Sequence, residues 1–123
     1  MTTTGRKQAS AKGRGSAAAF AITVVFELVE GGFPEFHRLV AANAAQSVQL
    51  EPDCLRFDVL TPADAAQPTH VFLYEVYRNR AAFDLHLSSD HFRQFDQRSR
   101  DLVLSKTVAS YAVEENDKAV AAT

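Results

Sequence analysis

The spacing of apolar residues changes from sheet to helix within the stretch 70–95. Val71 to Tyr77 reads Val-Phe-Leu-Tyr-Glu-Val-Tyr, a β-branched and aromatic run that suits a pleated, packed surface. Ala82, Phe83, His86 and Leu87 then follow at helical spacing. Asn79 stands at the break, where its amide oxygen can cap the new helix. Ser88 and Ser89 stop that helix and can cap another, with Asp90 in its positive first turn. Two polar side chains interrupt the apolar faces: Glu75 in the strand and His86 on the stripe set by Phe83. Burying such groups unpaired costs about 1–3 kcal/mol each, so they mark the place to look for a site.

The flanking sequence supplies the remaining elements. Phe20 to Val29 alternates as a strand, with Ile22, Val24, Phe26 and Leu28 on one face. Gly31-Gly32 ends it, and Pro34 suits the first position of a helix running to about Leu50. Phe36, Leu39, Val40, Asn43 and Ser47 share the face that should meet a sheet. Glu51-Pro52-Asp53 reads as a turn and Leu55 to Leu60 as a second strand. Its Leu55, Phe57 and Val59 oppose Arg56, Asp58 and Leu60. His70 to Arg78 is the third strand. A helix is expected from Asp90 to about Leu104, with Phe92, Phe95, Ser99, Leu102 and Val103 inward, and a last strand from Thr107 to Glu114. The order β-α-β-β-α-(α)-β predicts an α+β fold. It is the ferredoxin-like split βαβ plait, a four-stranded antiparallel sheet with helices on one face.

The chain has 123 residues, enough for one domain with one core. The expected organisation is a disordered basic tail over 1–18, the folded domain over 19–115 and a flexible C-terminus over 116–123. Residues 1–26 hold Arg6, Lys7, Lys12, Arg14 and no acid, whereas the rest carries nine basic and fifteen acidic side chains. An acidic body argues against nucleic-acid binding, which needs a basic face to displace counterions. Cys54 is the single cysteine, which excludes an internal disulfide and fits a reducing cytoplasm. No apolar run approaches the roughly 20 residues that cross a bilayer, so no membrane partner is expected.

Helices on one face leave the other face of the sheet open. Phe57, Val59, Phe72, Tyr74 and Val76 are expected there, an apolar patch that soluble monomers rarely expose. A homodimer with sheets face to face would bury it. Arg56, Asp58, Glu75 and Tyr77 would then face the helices, toward Asn43, Ser47 and His86, and form a polar cluster in a greasy cleft suited to a small molecule. His86 is the candidate base, because its ordinary pKa suits proton transfer at neutral pH. Glu75 could orient it or act as a base itself. Arg56 could stabilise an anion or simply pair with Glu75, and Asn43 could hold a carbonyl or oxyanion. Ser47, Asp58, Tyr77, Phe83, His91 and Phe95 are the candidate substrate contacts, with a surface or capping role as the alternative for His91. No metal site is expected, because His86 and His91 lie five residues apart, off the usual one-face helical spacing.

These residues also carry a family likeness. Glu51 to Phe57 (Glu-Pro-Asp-Cys-Leu-Arg-Phe), Tyr74 to Tyr77 (Tyr-Glu-Val-Tyr), and the set Phe83, His86, Ser89, His91 and Phe92 resemble the motifs of the antibiotic biosynthesis monooxygenase (ABM) domain family of the dimeric α+β barrel superfamily. The likeness spans about residues 20 to 115. It implies a ferredoxin-like homodimer with a pocket between helices and sheet in each subunit. It implies one of three chemistries. The first is oxygenation of a quinol or polycyclic phenol without a cofactor. The second is isomerisation of a phosphorylated autoinducer hydroxy-diketone, a branch that has a His directly after the helix-one Asn where this chain has Ala44. The third is haem degradation, which requires a Trp near the end of strand three and an axial His on the last helix, where this chain has Tyr77 and Asp96. A non-catalytic ligand-binding dimer is the rival class. The expectation carried forward is the cofactor-free monooxygenase.

Overall fold

The computed structural model describes residues 19–114. The expectations for the N-terminal tail and for the chain from 116 onward lie outside the described residues. The elements are β1 (Phe20–Leu28), α1 (Phe33–Leu50), β2 (Cys54–Leu60), β3 (His70–Tyr77), α2 (Arg80–Leu87), α3 (Asp90–Ser99), a 3-10 turn (Arg100–Leu102) and β4 (Val103–Ala112). Local chemistry sets several of their ends. Gly31 turns the chain at φ +76°, a region open to glycine without strain, and Pro34 sits in the first turn of α1. Asn79 accepts a hydrogen bond from the Ala82 amide at 2.9 Å and caps α2. Ser89 accepts from the Phe92 amide at 3.3 Å and caps α3.

The strands form one antiparallel sheet in the order β2-β3-β1-β4. This is the ferredoxin-like arrangement that the element order predicts. Ile22, Val24, Phe26 and Leu28 of β1, with Val71, Leu73, Glu75 and Tyr77 of β3, are buried beneath the helices. Helix α1 brings Phe36, Leu39, Val40, Asn43, Ala44 and Ser47 to them. Three phenylalanines centre the core: Phe26 and Phe36 lie 4.9 Å apart between ring centroids, and Phe95 meets them at 5.9 and 5.7 Å. Phe95 is thus a core residue. No helix among the described residues is long and apolar enough to cross a membrane.

Two expectations are corrected. Helix α3 ends at Ser99, not near Leu104, and β4 begins at Val103, not at Thr107. Leu102 and Val103 fit a helical stripe locally. Pairing of Val103 with Leu28, and the bond from the Val29 amide to the Leu102 carbonyl at 3.0 Å, win the segment for the sheet. The second correction concerns the faces of β2. Cys54 pairs with Tyr77 and Arg56 with Val76, so Leu55 is an extra residue in a bulge. A one-residue slip turns every following side chain over. Phe57 therefore faces the helices opposite Glu75, and Arg56 and Asp58 face outward opposite Val76 and Tyr74. The open face carries Val25, Phe72, Tyr74 and Val76, all half-buried, without Phe57 or Val59.

The phenylalanine trio fixes how α1 and α3 sit on β1. Phe36 is fully buried, and Phe36→Ala is expected to cost about 3–5 kcal/mol, read as a fall in the midpoint of urea unfolding at unchanged slope. A loss below about 1 kcal/mol would show that the core does not depend on this contact.

Candidate active site

The site forms where α2 gives way to α3. His86 lies in the last turn of α2 and His91 in the first turn of α3. The Ser88-Ser89 break between the helices lets the two imidazoles approach to 5.8 Å between centroids. Glu51, the residue just beyond α1, reaches both. His86 donates through Nδ1 to Glu51 Oε2 at 2.8 Å, and His91 donates through Nε2 to the same oxygen at 2.5 Å. Helical spacing predicts that the two histidines stay apart. The helix break overturns that argument, and Glu51, His86 and His91 converge.

Glu51 also fixes the proton on His86. A carboxylate oxygen can only accept, so Nδ1 carries the hydrogen and Nε2 is left with a lone pair in the neutral ring. Ser47 Oγ lies 3.4 Å from the same Nδ1 and donates to the Asn43 carbonyl at 2.7 Å. The imidazole is 2% exposed and stands among Phe57, Tyr77, Phe83 and Phe92, with centroids 5.1–6.3 Å away. Burial lowers the His86 pKa and outweighs the Glu51 hydrogen bond and charge, which raise it. His86 is therefore a neutral imidazole at neutral pH.

A small cavity of about 50 Å³, open to solvent on one side, adjoins this ring. Ile22, Val24, Glu75, Phe83, His86, Leu87, Phe92, Lys106 and Val108 line it. Its walls are apolar except for one carboxyl, one imidazole and one ammonium. Glu75 is 3% exposed and accepts from the Tyr77 hydroxyl at 2.7 Å. Burial pushes its carboxyl up to about 7, against the opposing pull of the Tyr77 hydrogen bond. The Tyr77 hydroxyl is raised well above its ordinary range, first by burial and then by the Glu75 charge. Lys106 reaches over the Phe92 and Phe26 rings at 5.5 and 5.6 Å and lies 3.8 Å from Asp96.

The structure gathers Glu75, His86 and Phe83 on the cavity wall, with Tyr77, Ser47 and His91 directly behind them. Others fall away. Arg56 and Asp58 bond to each other at 2.6 Å on the outer face, where Arg56 lies over Tyr74 and makes no pair with Glu75. Asn43 is buried with its Oδ1 unpartnered among the described residues and is not part of the cavity wall. Phe95 is in the core. Two contributors were not among the candidates. Glu51 reads as a turn residue, although it opens the Glu-Pro-Asp-Cys motif. Lys106 falls between the expected end of the helix and the expected start of the last strand, and no local pattern marks it.

The family model described as antibiotic biosynthesis monooxygenase, ABM, matches residues 19–98. The chain belongs to the ABM family. Among solved structures, a candidate antibiotic biosynthesis monooxygenase from Nitrosomonas europaea superposes with a TM-score of 0.73 at 24% identity, over 80% of this chain and 92% of that one. A Shewanella oneidensis protein gives 0.70 at 25% identity, over 78% and 91%. A Mycobacterium tuberculosis protein gives 0.71 at 22%, over 80% and 98%. No curated protein matches the chain. The matched segment covers β1 to α3 and holds Glu51, Glu75, His86 and His91; Lys106 lies beyond it.

The raised carboxyl of Glu75 has a signed consequence for this ABM domain. The folded protein holds the proton to about pH 7, while the unfolded chain releases it near the ordinary value of 4.5. Stability is thus greatest below that ordinary value and declines as the pH climbs through the interval up to about 7. Glu75→Gln keeps an acceptor for Tyr77 and removes this dependence. Thermal or urea unfolding at pH 5 and pH 8 is expected to show the variant gaining on the parent at the higher pH, by on the order of 3 kcal/mol. Equal pH profiles for the two proteins would exclude a buried, ionisable Glu75.

Proposed function

We propose that this ABM domain is a cofactor-independent monooxygenase acting on a quinol or polycyclic phenol. The observation that carries the reading is the buried neutral His86, its Nδ1–H committed to Glu51 and its ring forming part of the cavity wall. A phenol lying against Phe83 and Phe92 gives its proton to His86 Nε2. The resulting phenolate is electron-rich enough to reduce dioxygen, and a ring carbon bonds to one oxygen atom. The peroxide then loses its outer oxygen as water together with the ring C–H hydrogen, so that phenol and dioxygen become quinone and water. Glu75, with its carboxyl near 7, can supply the proton that this departure needs. The Lys106 ammonium balances the developing negative charge at the cavity wall.

The same cation favours one second reading. Lys106 lines the cavity and could hold a phosphate, which would suit isomerisation of a phosphorylated hydroxy-diketone. Ala44, buried on α1, stands where that branch of the family has a histidine.

The domain is proposed to work as a homodimer, joined through the half-buried outer face of Val25, Phe72, Tyr74 and Val76. Tyr74→Asp is expected to convert it to monomer in sedimentation velocity. A monomeric parent protein would rule out that interface.

The chemistry is tested by oxygen uptake in a chelator-containing buffer, with a panel of reduced quinols and polycyclic phenols and no flavin or metal added. Uptake by the parent and a fall of roughly 10²–10⁴ in His86→Ala, with the oligomeric state unchanged, is the expected result. No uptake by well-folded protein excludes the oxygenase reading. Conversion of the phosphorylated hydroxy-diketone would then establish the isomerase, and ligand uptake without product would establish a binding module.

A further inference from the structure

We infer that Glu51, His86 and His91 form a binding site for a divalent first-row transition-metal cation, with zinc the natural probe. The three ligand atoms, Glu51 Oε2, His86 Nδ1 and His91 Nε2, all lie within 4.8 Å of one another. Two imidazoles and a carboxylate are the donor set that such cations take, at about 2.0–2.2 Å per bond. Ligands around a tetrahedral ion stand roughly 3.3 Å apart at those bond lengths. The carboxylate oxygen is now 2.8 and 2.5 Å from the two nitrogens, which lie up to 4.8 Å from each other, so an ion is admitted when the oxygen withdraws by less than about an ångström and the imidazoles close on each other by up to about 1.5 Å. The other carboxylate oxygen, Oε1, is buried and has no hydrogen-bond partner among the described residues. Among the described residues it is the one fully buried side-chain atom of the cluster without a partner, and a cation bound by both oxygens would satisfy it. The donors come from three elements: the end of α1, the last turn of α2 and the first turn of α3.

Metal and substrate chemistry are coupled through the tautomer of His86. Coordination needs the lone pairs of His91 Nε2, whose hydrogen moves to its own Nδ1, and of His86 Nδ1, which now carries the hydrogen. The His86 ring stays neutral if that hydrogen moves to Nε2, with no proton gained or lost overall. If His86 is the base, as the proposed function has it, its acceptor nitrogen then becomes a donor and proton abstraction stops. The cation is therefore an inhibitor of the proposed reaction.

The test uses the full, tag-free chain, freed of metal with a chelator. Zinc is titrated by calorimetry, and cobalt(II) by its visible absorption. One zinc per chain is expected, with a rise in thermal midpoint and a cobalt spectrum of a nitrogen- and oxygen-ligated ion. Affinity is expected to fall at least tenfold in His91→Ala and in Glu51→Gln and to persist in the His37→Ala, His70→Ala double variant. Histidine ring resonances followed by NMR give a reading that needs no variant: zinc should move those of His86 and His91. No stoichiometric binding, unchanged affinity in both ligand variants, or zinc shifts confined to His37 and His70 would overturn the site. Zinc that binds at these residues but leaves turnover untouched would overturn the base role of His86 and leave the metal site standing. Turnover that depends on His86 in a protein that binds no zinc would do the reverse.

Discussion

Both imidazoles of the site depend on one carboxylate oxygen. Glu51 Oε2 receives a hydrogen bond from His86 and another from His91, and no other side chain among the described residues bonds to both. Its backbone is pinned as firmly as its side chain: the Glu51 amide bonds to the Ser47 carbonyl, and its own carbonyl accepts from Cys54, at 3.1 Å in each case. One residue therefore ends α1, begins the turn into β2 and ties the α2–α3 junction to both. Charge-assisted bonds of this kind are about twice as strong as neutral ones. The gain is more than stability. A histidine buried among four aromatic rings has no solvent to choose its tautomer, and Glu51 makes the choice. It engages Nδ1–H on the protein side and leaves Nε2 with a free lone pair.

The Leu55 bulge decides the other half of the site's electrostatics. With an unbulged β2, Arg56 would share a face with Glu75, and the guanidinium would hold that carboxyl ionised. The bulge sends Arg56 to the outer face, where it bonds to Asp58, and puts Phe57 opposite Glu75 instead. Glu75 is left with a phenol for its hydrogen bond and with Lys106 as a weaker, more distant cation. Desolvation then governs, and the carboxyl rises to about 7. One inserted residue exchanges a paired structural carboxylate for a buried acid that can change protonation state at neutral pH.

Much of this was legible in the sequence, and the gaps have physical causes. The seven-residue alternation of β3 and the caps at Asn79 and Ser89 are local signals, and so was the order of elements that gives the plait. Glu75 and His86 stood out because a polar group on an apolar face is costly wherever the chain puts it. Three features could not be read locally. A bulge leaves the alternation of β2 intact and changes only its register with β3, so alternation alone puts Arg56 and Asp58 on the wrong side. The break at Ser88-Ser89 is a local signal, but its effect on the relative direction of His86 and His91 depends on how two helices pack. Lys106 lines the cavity from β4, and the start of that strand at Val103 is set by pairing with β1, not by propensity.

The early start of β4 also explains why the cavity is open. Helices α1 and α3 centre on Phe26, Phe36 and Phe95, while β4 lies at the sheet edge with Val108 51% exposed. Val24 and Val108 are paired across β1 and β4, yet the first is buried and the second is not, so the helix layer ends between them. A trough between a covered strand and an uncovered one is the necessary result of fewer helical residues than the sheet can seat. Had α3 run on to Leu104, its last turn would have taken the residues that now begin β4, and the strand that carries Lys106 and Val108 to the cavity wall would have been shorter. The residues that give up the helix for the sheet therefore keep the cavity open and also set Lys106 on its wall.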